Sequence, residues 1–132
     1  MNAIDNPQGD NLTIMVLDDE VTIRNLVAKE LEKAGYTVVS FPNKSDGLQW
    51  IQKSHVDLVI SDINSPRMDG FTFIKLLRAN PNTNMIPCII VTGLAEFKFA
   101  IDALSLGVSD YLTKPFEIDE LMQAVHRALG QI

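Results

Sequence analysis

The chain reads as an α/β domain: a five-stranded parallel sheet with helices on both faces. Short apolar, β-branched runs alternate five times with segments whose apolar residues recur at helical spacing. Such β-then-α repetition builds a parallel sheet joined by right-handed crossovers. Most of the runs also end abruptly in polar residues, so the chemistry-bearing side chains collect on one rim of that sheet. With 132 residues there is room for one domain and not for two.

Residues 1–11, MNAIDNPQGDN, are polar and rich in chain breakers and read as a flexible tail, leaving 12–130 for the domain. The run at 12–17 (LTIMVL) has the continuous apolar character of a buried parallel strand. Residues 21–34 place Ile23, Leu26, Val27, Leu31 and Ala34 on one helical stripe, and Gly35 stops the helix. YTVVSF at 36–41 is β-branched and aromatic, hence a strand. Residues 43–53 make a weaker helix around Leu48 and Ile51, and DLVIS at 57–61 is the third strand. A helix over 69–79 turns Phe73, Ile74 and Leu77 inward. The fourth strand spans 86–91, and a helix over 95–106 is stopped by Gly107. A short fifth strand covers 110–113, and the last helix, 117–129, carries the stripe Ile118, Leu121, Met122, Val125, Ala128 and Leu129.

Composition narrows the function. A net charge of −6 with no basic run argues against a nucleic-acid surface, which needs clustered Lys and Arg. The single cysteine, Cys88, sits in the apolar run MIPCIIVTG and reads as a buried, inert thiol in a reducing compartment. There is no signal-peptide pattern and no apolar run of about 18 residues or more. These features predict a cytoplasmic chain without membrane contact.

The polar residues at the strand ends form a pattern. Asp18, Asp19 and Glu20 follow the first strand, Asp62 the third, Thr92 and Gly93 the fourth, and Lys114 and Pro115 the fifth. Clustered carboxylates repel one another unless a cation sits among them. All-oxygen ligation suits Mg²⁺. A lysine and a hydroxyl opposite that cation would neutralise a phosphoryl group, and a central carboxylate can act as the nucleophile. Taken singly, each residue has an ordinary explanation: Asp18 or Asp19 as a helix cap, Asp62 in a turn, Thr92 as a cap, Lys114 as a solvated charge. Four strand ends carrying the right residue types together is much harder to ascribe to accident.

The motifs VLDDE at 16–20, DLVISDINSPRMDGF at 57–71, VTG at 91–93 and DYLTKPF at 110–116, with their spacing, resemble those of response-regulator receiver domains, the CheY-like family. The resemblance covers about 12–129. It implies a flavodoxin-like three-layer sandwich with strand order 2-1-3-4-5. It also implies that Asp62 is the phosphoacceptor. Asp19 and Asp62 would be direct Mg²⁺ ligands, with Asp18 acting through water and the Asn64 backbone carbonyl completing the set. Thr92 would be the hydroxyl that reaches the phosphoryl group, Lys114 the ion-pairing lysine with a cis bond to Pro115, and Tyr111 the aromatic switch residue.

The implied activity is Mg²⁺-dependent transfer of a phosphoryl group to Asp62, catalysed by the domain itself as a signalling switch and not as an enzyme acting on other molecules. The implied donors are a sensor histidine kinase, a histidine phosphotransfer protein or a small phosphodonor. The implied readout is a downstream protein target or output domain docking on the face made by the helix at 95–106, the fifth strand and the last helix. Ser65 replaces the family's usual methionine and Gly93 its usual alanine. A haloacid-dehalogenase-type phosphatase would need a second aspartate where Asn64 stands, and room for a substrate-capping insertion. A degenerate receiver that only binds a partner would lack some of the chemical residues, and all are present. An EF-hand reading of DINSPRMDG fails because Arg67 stands where that loop needs glycine.

Overall fold

The structure, a computed structural model, describes residues 12–63, 68–93 and 104–130. Its elements follow the expected order: β1 Thr13–Leu17, α1 Val21–Lys33, β2 Thr37–Phe41, α2 Lys44–Ile51, β3 Leu58–Asp62, α3 Gly70–Ala79, β4 Cys88–Thr92, β5 Asp110–Thr113 and a last helix, Ile118–Ala128. All strand pairs are parallel and the sheet order is β2-β1-β3-β4-β5. Of the helix expected at 95–106, only Leu104 and Ser105 are described as helical; the rest of that expectation, apart from Leu106, lies outside the described residues. Among the described residues, no helix is long and apolar enough to cross a membrane.

Period-two alternation along the strands divides the core into two layers. Ile14, Val16, Leu58, Ile60, Ile89 and Val91 face Val27 and Leu31 of α1 and Leu121, Ala124 and Val125 of the last helix. Met15, Leu17, Val59, Cys88 and Ile90 face Ile51 of α2 and Phe73, Ile74 and Leu77 of α3. Both faces of the three central strands are therefore covered, which is why their sequences run apolar without alternation. Cys88 is fully buried, and that burial pushes its thiol up to about 11, well into the unreactive range.

The weakness of α2 in the sequence has a structural cause. Gly47 lies in its middle, and a Cβ there would come within 2.8 Å of Leu17 Cδ2 and 3.1 Å of Met15 Sδ. The glycine lowers helix propensity but lets α2 lie directly on β1. The last helix is strong for the opposite reason: Glu117 and Glu120 form a reciprocal capping box at its start.

Two strands end one residue later than the sequence pattern indicates. The expected limits were 61 and 91; Asp62 and Thr92 are themselves the last residues of β3 and β4. The parallel ladder continues past the apolar run, with Asp62 in register with Val91 and the Ile63 N–H bonded to the Val91 carbonyl at 2.8 Å. At the opposite boundary β4 starts at Cys88, two residues after the apolar run begins. Pro87 has no N–H to give to a ladder, although its carbonyl accepts from Val59 N–H at 3.0 Å.

Arg78 at the end of α3 is the main polar clamp of this layer. Its guanidinium donates to the carbonyls of Ile86 at 2.8 Å, Leu106 at 3.0 Å, Asn84 at 3.1 Å and Gly107 at 3.3 Å. One side chain thus ties α3 to the approach to β4 and the approach to β5. Replacing it removes charge-assisted bonds to two part-buried carbonyls, those of Leu106 and Ile86, and to two exposed ones, and a lost bond to a part-buried group costs roughly 1–3 kcal/mol. Arg78→Ala is expected to lower the unfolding free energy in urea by about 2–3 kcal/mol; a loss under about 0.5 kcal/mol, the range of ordinary surface substitutions, would contradict this role.

Candidate functional site

The C-terminal ends of β1, β3, β4 and β5 meet at one rim, and Asp18, Asp19, Asp62, Thr92 and Lys114 are there. Asp18, Asp19 and Asp62 each bring a carboxylate oxygen within 4.8 Å of the others. Asp18 and Asp62 are buried and Asp19 is exposed. The order of the strands explains the meeting: β1 and β3 are neighbours, so the residue ending β3 lies beside those that follow β1.

Asp18 is fixed on three sides. Its N–H bonds to the Phe41 carbonyl at 3.3 Å, its carbonyl accepts from Arg24 at 2.8 Å, and its Oδ1 accepts from the Glu20 N–H at 2.9 Å. The capping explanation is therefore partly true of Asp18, which serves the backbone before α1 with one oxygen. Its other oxygen, Oδ2, lies 3.0 Å from Lys114 Nζ. The first residue before α1 is Glu20, whose side chain makes no capping bond and instead reaches Lys114 at 2.8 Å.

Lys114 is not a solvated charge: its side chain is only 14% exposed. Its ammonium faces Glu20 at 2.8 Å, Asp18 at 3.0 Å and Asp62 at 3.9 Å. Burial alone would lower its pKa; hydrogen bonds to Glu20 and Asp18 and the charges of Asp62 and Asp18 outweigh that and hold it above the ordinary lysine value. It stays charged. Its place is set by the backbone, since the Lys114 N–H donates to the Thr92 carbonyl at 2.7 Å and the bond to Pro115 is cis, as the resemblance implies.

Thr92 is buried at the end of β4, one strand from Asp62, in register with Thr113. Gly93 follows it, and among the described residues nothing lies within 4 Å of where its Cβ would be. Tyr111 is half-buried on β5, opposite Ile90, and packs on the core layer that contains Ile90. Asn64, and with it the carbonyl assigned to the metal, lies outside the described residues. Below Asp62, the Gly70 N–H donates to the Ile63 carbonyl at 2.7 Å, and a Cβ on Gly70 would sit 2.9 Å from Ile63 Cα. That glycine lets the start of α3 press against the segment that carries Asp62.

Two residues of the site are not singled out by the sequence pattern. Glu20 stands at the rim in the sequence without an evident part, and in the structure it holds Lys114. Lys44, the first residue of α2, is only 3% exposed, and burial lowers its pKa against the opposing charges of Asp62, Asp19, Asp18 and Asp69. The sequence did contain a signal: a cation in the first turn of a helix opposes the helix dipole.

The donor set is chemically suited to a small hard cation: three carboxylates, no nitrogen or sulfur ligand among the described residues, and one flank open to solvent at Asp19. The carboxylate cluster and its fixed ammonium lie at the C-terminal rim of a doubly wound sheet, where such folds bind their ligands. Comparison with known proteins gives the family. The family described as "Response regulator receiver domain" matches residues 14–126. The chain is 36% identical over 117 residues to the C4-dicarboxylate transport transcriptional regulatory protein DctD of Rhizobium meliloti (strain 1021), covering 88% of this chain and 25% of that protein. It is 32% identical over 124 residues to a probable chemotaxis protein CheY of Rhizobium etli, covering 93% of this chain and 96% of that one. The chemotaxis response regulator CheY4 of Vibrio cholerae superposes with a TM-score of 0.84 at 30% identity, over 89% of this chain and 98% of that chain.

The chain belongs to the response-regulator receiver family, with the flavodoxin-like fold, and is a phosphoacceptor domain of two-component signalling. It spans about a quarter of DctD and nearly the whole of the chemotaxis protein, so both larger regulators and stand-alone switches are among its relatives.

A site made of like charges costs stability. Asp19→Asn removes the exposed member of the three carboxylates and is expected to raise the urea midpoint in EDTA buffer, by roughly 0.5–1 kcal/mol of stability. A lower midpoint would mean that Asp19 is held by attractive contacts and that repulsion does not dominate the cluster.

Proposed function

We propose that Asp62 is the phosphoacceptor and that the domain catalyses its own phosphorylation from a phosphohistidine or a small phosphodonor. One Asp62 carboxylate oxygen attacks phosphorus, the new O–P bond forms as the bond to the donor's leaving group breaks, and the leaving group departs with the bonding electron pair. The observation that carries this reading is the position of Asp62: a buried carboxylate at the end of β3, grouped with Asp18 and Asp19 and 3.9 Å from the Lys114 ammonium. Lys114, its ammonium 3.9 Å from Asp62, is placed to neutralise charge arriving on the phosphoryl oxygens.

Asp18, Asp19 and Asp62, with the carbonyl of Asn64, would hold Mg²⁺. That ion, when bound, supplies charge neutralisation for the carboxylates and the incoming phosphoryl oxygens. Thr92, one strand away, offers its hydroxyl to the phosphoryl group. Its displacement would be felt by Tyr111 on the adjacent β5, which turns from half-buried to inward and alters the face presented by β5 and the last helix. Carrying such a switch from mostly off to mostly on takes about 5.5 kcal/mol of differential stabilisation, which charge-assisted bonds to Lys114 and Thr92 can reach together with the cation.

The donor would be a sensor histidine kinase or a histidine phosphotransfer protein, in the cytoplasm. The reader would be a separate protein target or an output domain. In support of an output domain, DctD and the regulator RpaA of Synechocystis, described as a DNA-binding dual master transcriptional regulator, are both much longer than this chain.

Intact mass after incubation with acetyl phosphate and Mg²⁺ tests the assignment. The wild type is expected to gain one phosphoryl group, and the gain is expected to vanish in EDTA and in Asp62→Asn. A folded wild type that gains none, or an Asp62→Asn variant that gains as much, would overturn it.

A further inference from the structure

Lys44 is a buried ammonium that phosphoryl transfer to Asp62 leaves without a part. It opens α2, directly after the cap Asn43, whose side chain accepts from the Asp46 N–H at 2.8 Å. A lysine there opposes the helix dipole, and a lysine 3% exposed is rare without an anionic environment. The environment follows from how α2 lies on the sheet. Gly47, one turn further on, is pressed against Leu17, the last residue of β1, so closely that a Cβ on it would lie only 2.8 Å from Leu17 Cδ2. α2 starts at the rim and runs back along the sheet, so Lys44 lies one turn closer to the rim than Gly47, beyond Leu17 and level with the residues that follow it. Those are Asp18 and Asp19. The charges of Asp62, Asp19, Asp18 and Asp69 all act on its ammonium.

We propose that Lys44 is a tethered cation of the acidic pocket, a positioning residue that weakens divalent-cation binding to the unmodified site and favours the phosphorylated one. The proposal rests on the reading of Asp18, Asp19 and Asp62 as a cation site. Lys44 adds a positive charge beside the carboxylates that would hold the cation, and so opposes its binding to the unmodified site. Phosphorylation raises the negative charge carried at Asp62 from −1 to about −2. The same ammonium then stabilises the modified side chain more than the unmodified one.

The test is titration of the full chain with MgCl₂, followed by calorimetry and by amide chemical shifts, for the wild type, Lys44→Met, Lys44→Gln and Lys44→Arg. Two neutral variants are included so that a folded one remains if the other fails, with folding checked by circular dichroism. Removing a unit charge so near a divalent ion is expected to tighten Mg²⁺ binding at least about threefold in the neutral variants, while Lys44→Arg keeps the wild-type affinity. Unchanged or weaker binding in the neutral variants, with the wild type binding normally, would overturn the role of Lys44 alone. A wild type that binds no Mg²⁺ would overturn the cation-site reading and this proposal with it.

Discussion

The rim is organised by one ammonium set among carboxylates. Lys114 follows β5, Asp18 and Glu20 follow β1, and Asp62 ends β3, so a single side chain links three of the five strand ends. Without that cation, buried Asp18 and Asp62 would lose their ion-pair partner and keep only the more indirect charge of Lys44. With it, the cluster persists but remains under-neutralised. A site of that kind is ready for a further cation or for a group whose own charge changes the balance.

Placing those groups is the work of the fold. Parallel strands all present their C-terminal ends at the same edge, and the order β2-β1-β3-β4-β5 sets β3 in the middle. Asp62 consequently has the β1 carboxylates on one side and Thr92 on the other. Gly47 and Gly70 contribute by lacking side chains: the first lets α2 lie on Leu17, the second lets α3 begin against Ile63. Each is a local sacrifice of helix stability for close approach to the site-bearing strands.

Most of this was legible in the sequence. Apolar periodicity marked the elements, and Asp18, Asp19, Asp62, Thr92 and Lys114 stood out because each followed a strand. The strand ends at Asp62 and Thr92 were missed because hydropathy reports burial and not hydrogen bonding: an aspartate and a threonine can extend a ladder that the apolar pattern has already left. Lys44 was missed for a related reason. Nothing in its immediate neighbours shows that α2 starts against the carboxylates; only the close approach of Gly47 to Leu17, far apart in the chain, reveals it. The clamp formed by Arg78 is similarly invisible, since its acceptors are backbone carbonyls that any sequence would supply.

The most direct test of the central claim, that this carboxylate cluster accepts a phosphoryl group at Asp62, is a crystal structure of the chain with Mg²⁺ and beryllofluoride, a stable mimic of an acyl phosphate. The account predicts the beryllofluoride bonded to an Asp62 carboxylate oxygen, the cation among Asp18, Asp19 and Asp62, and Lys114 turned from Glu20 toward a fluorine. Beryllofluoride absent from Asp62 in a crystal that holds Mg²⁺, or bonded to another carboxylate, would contradict it.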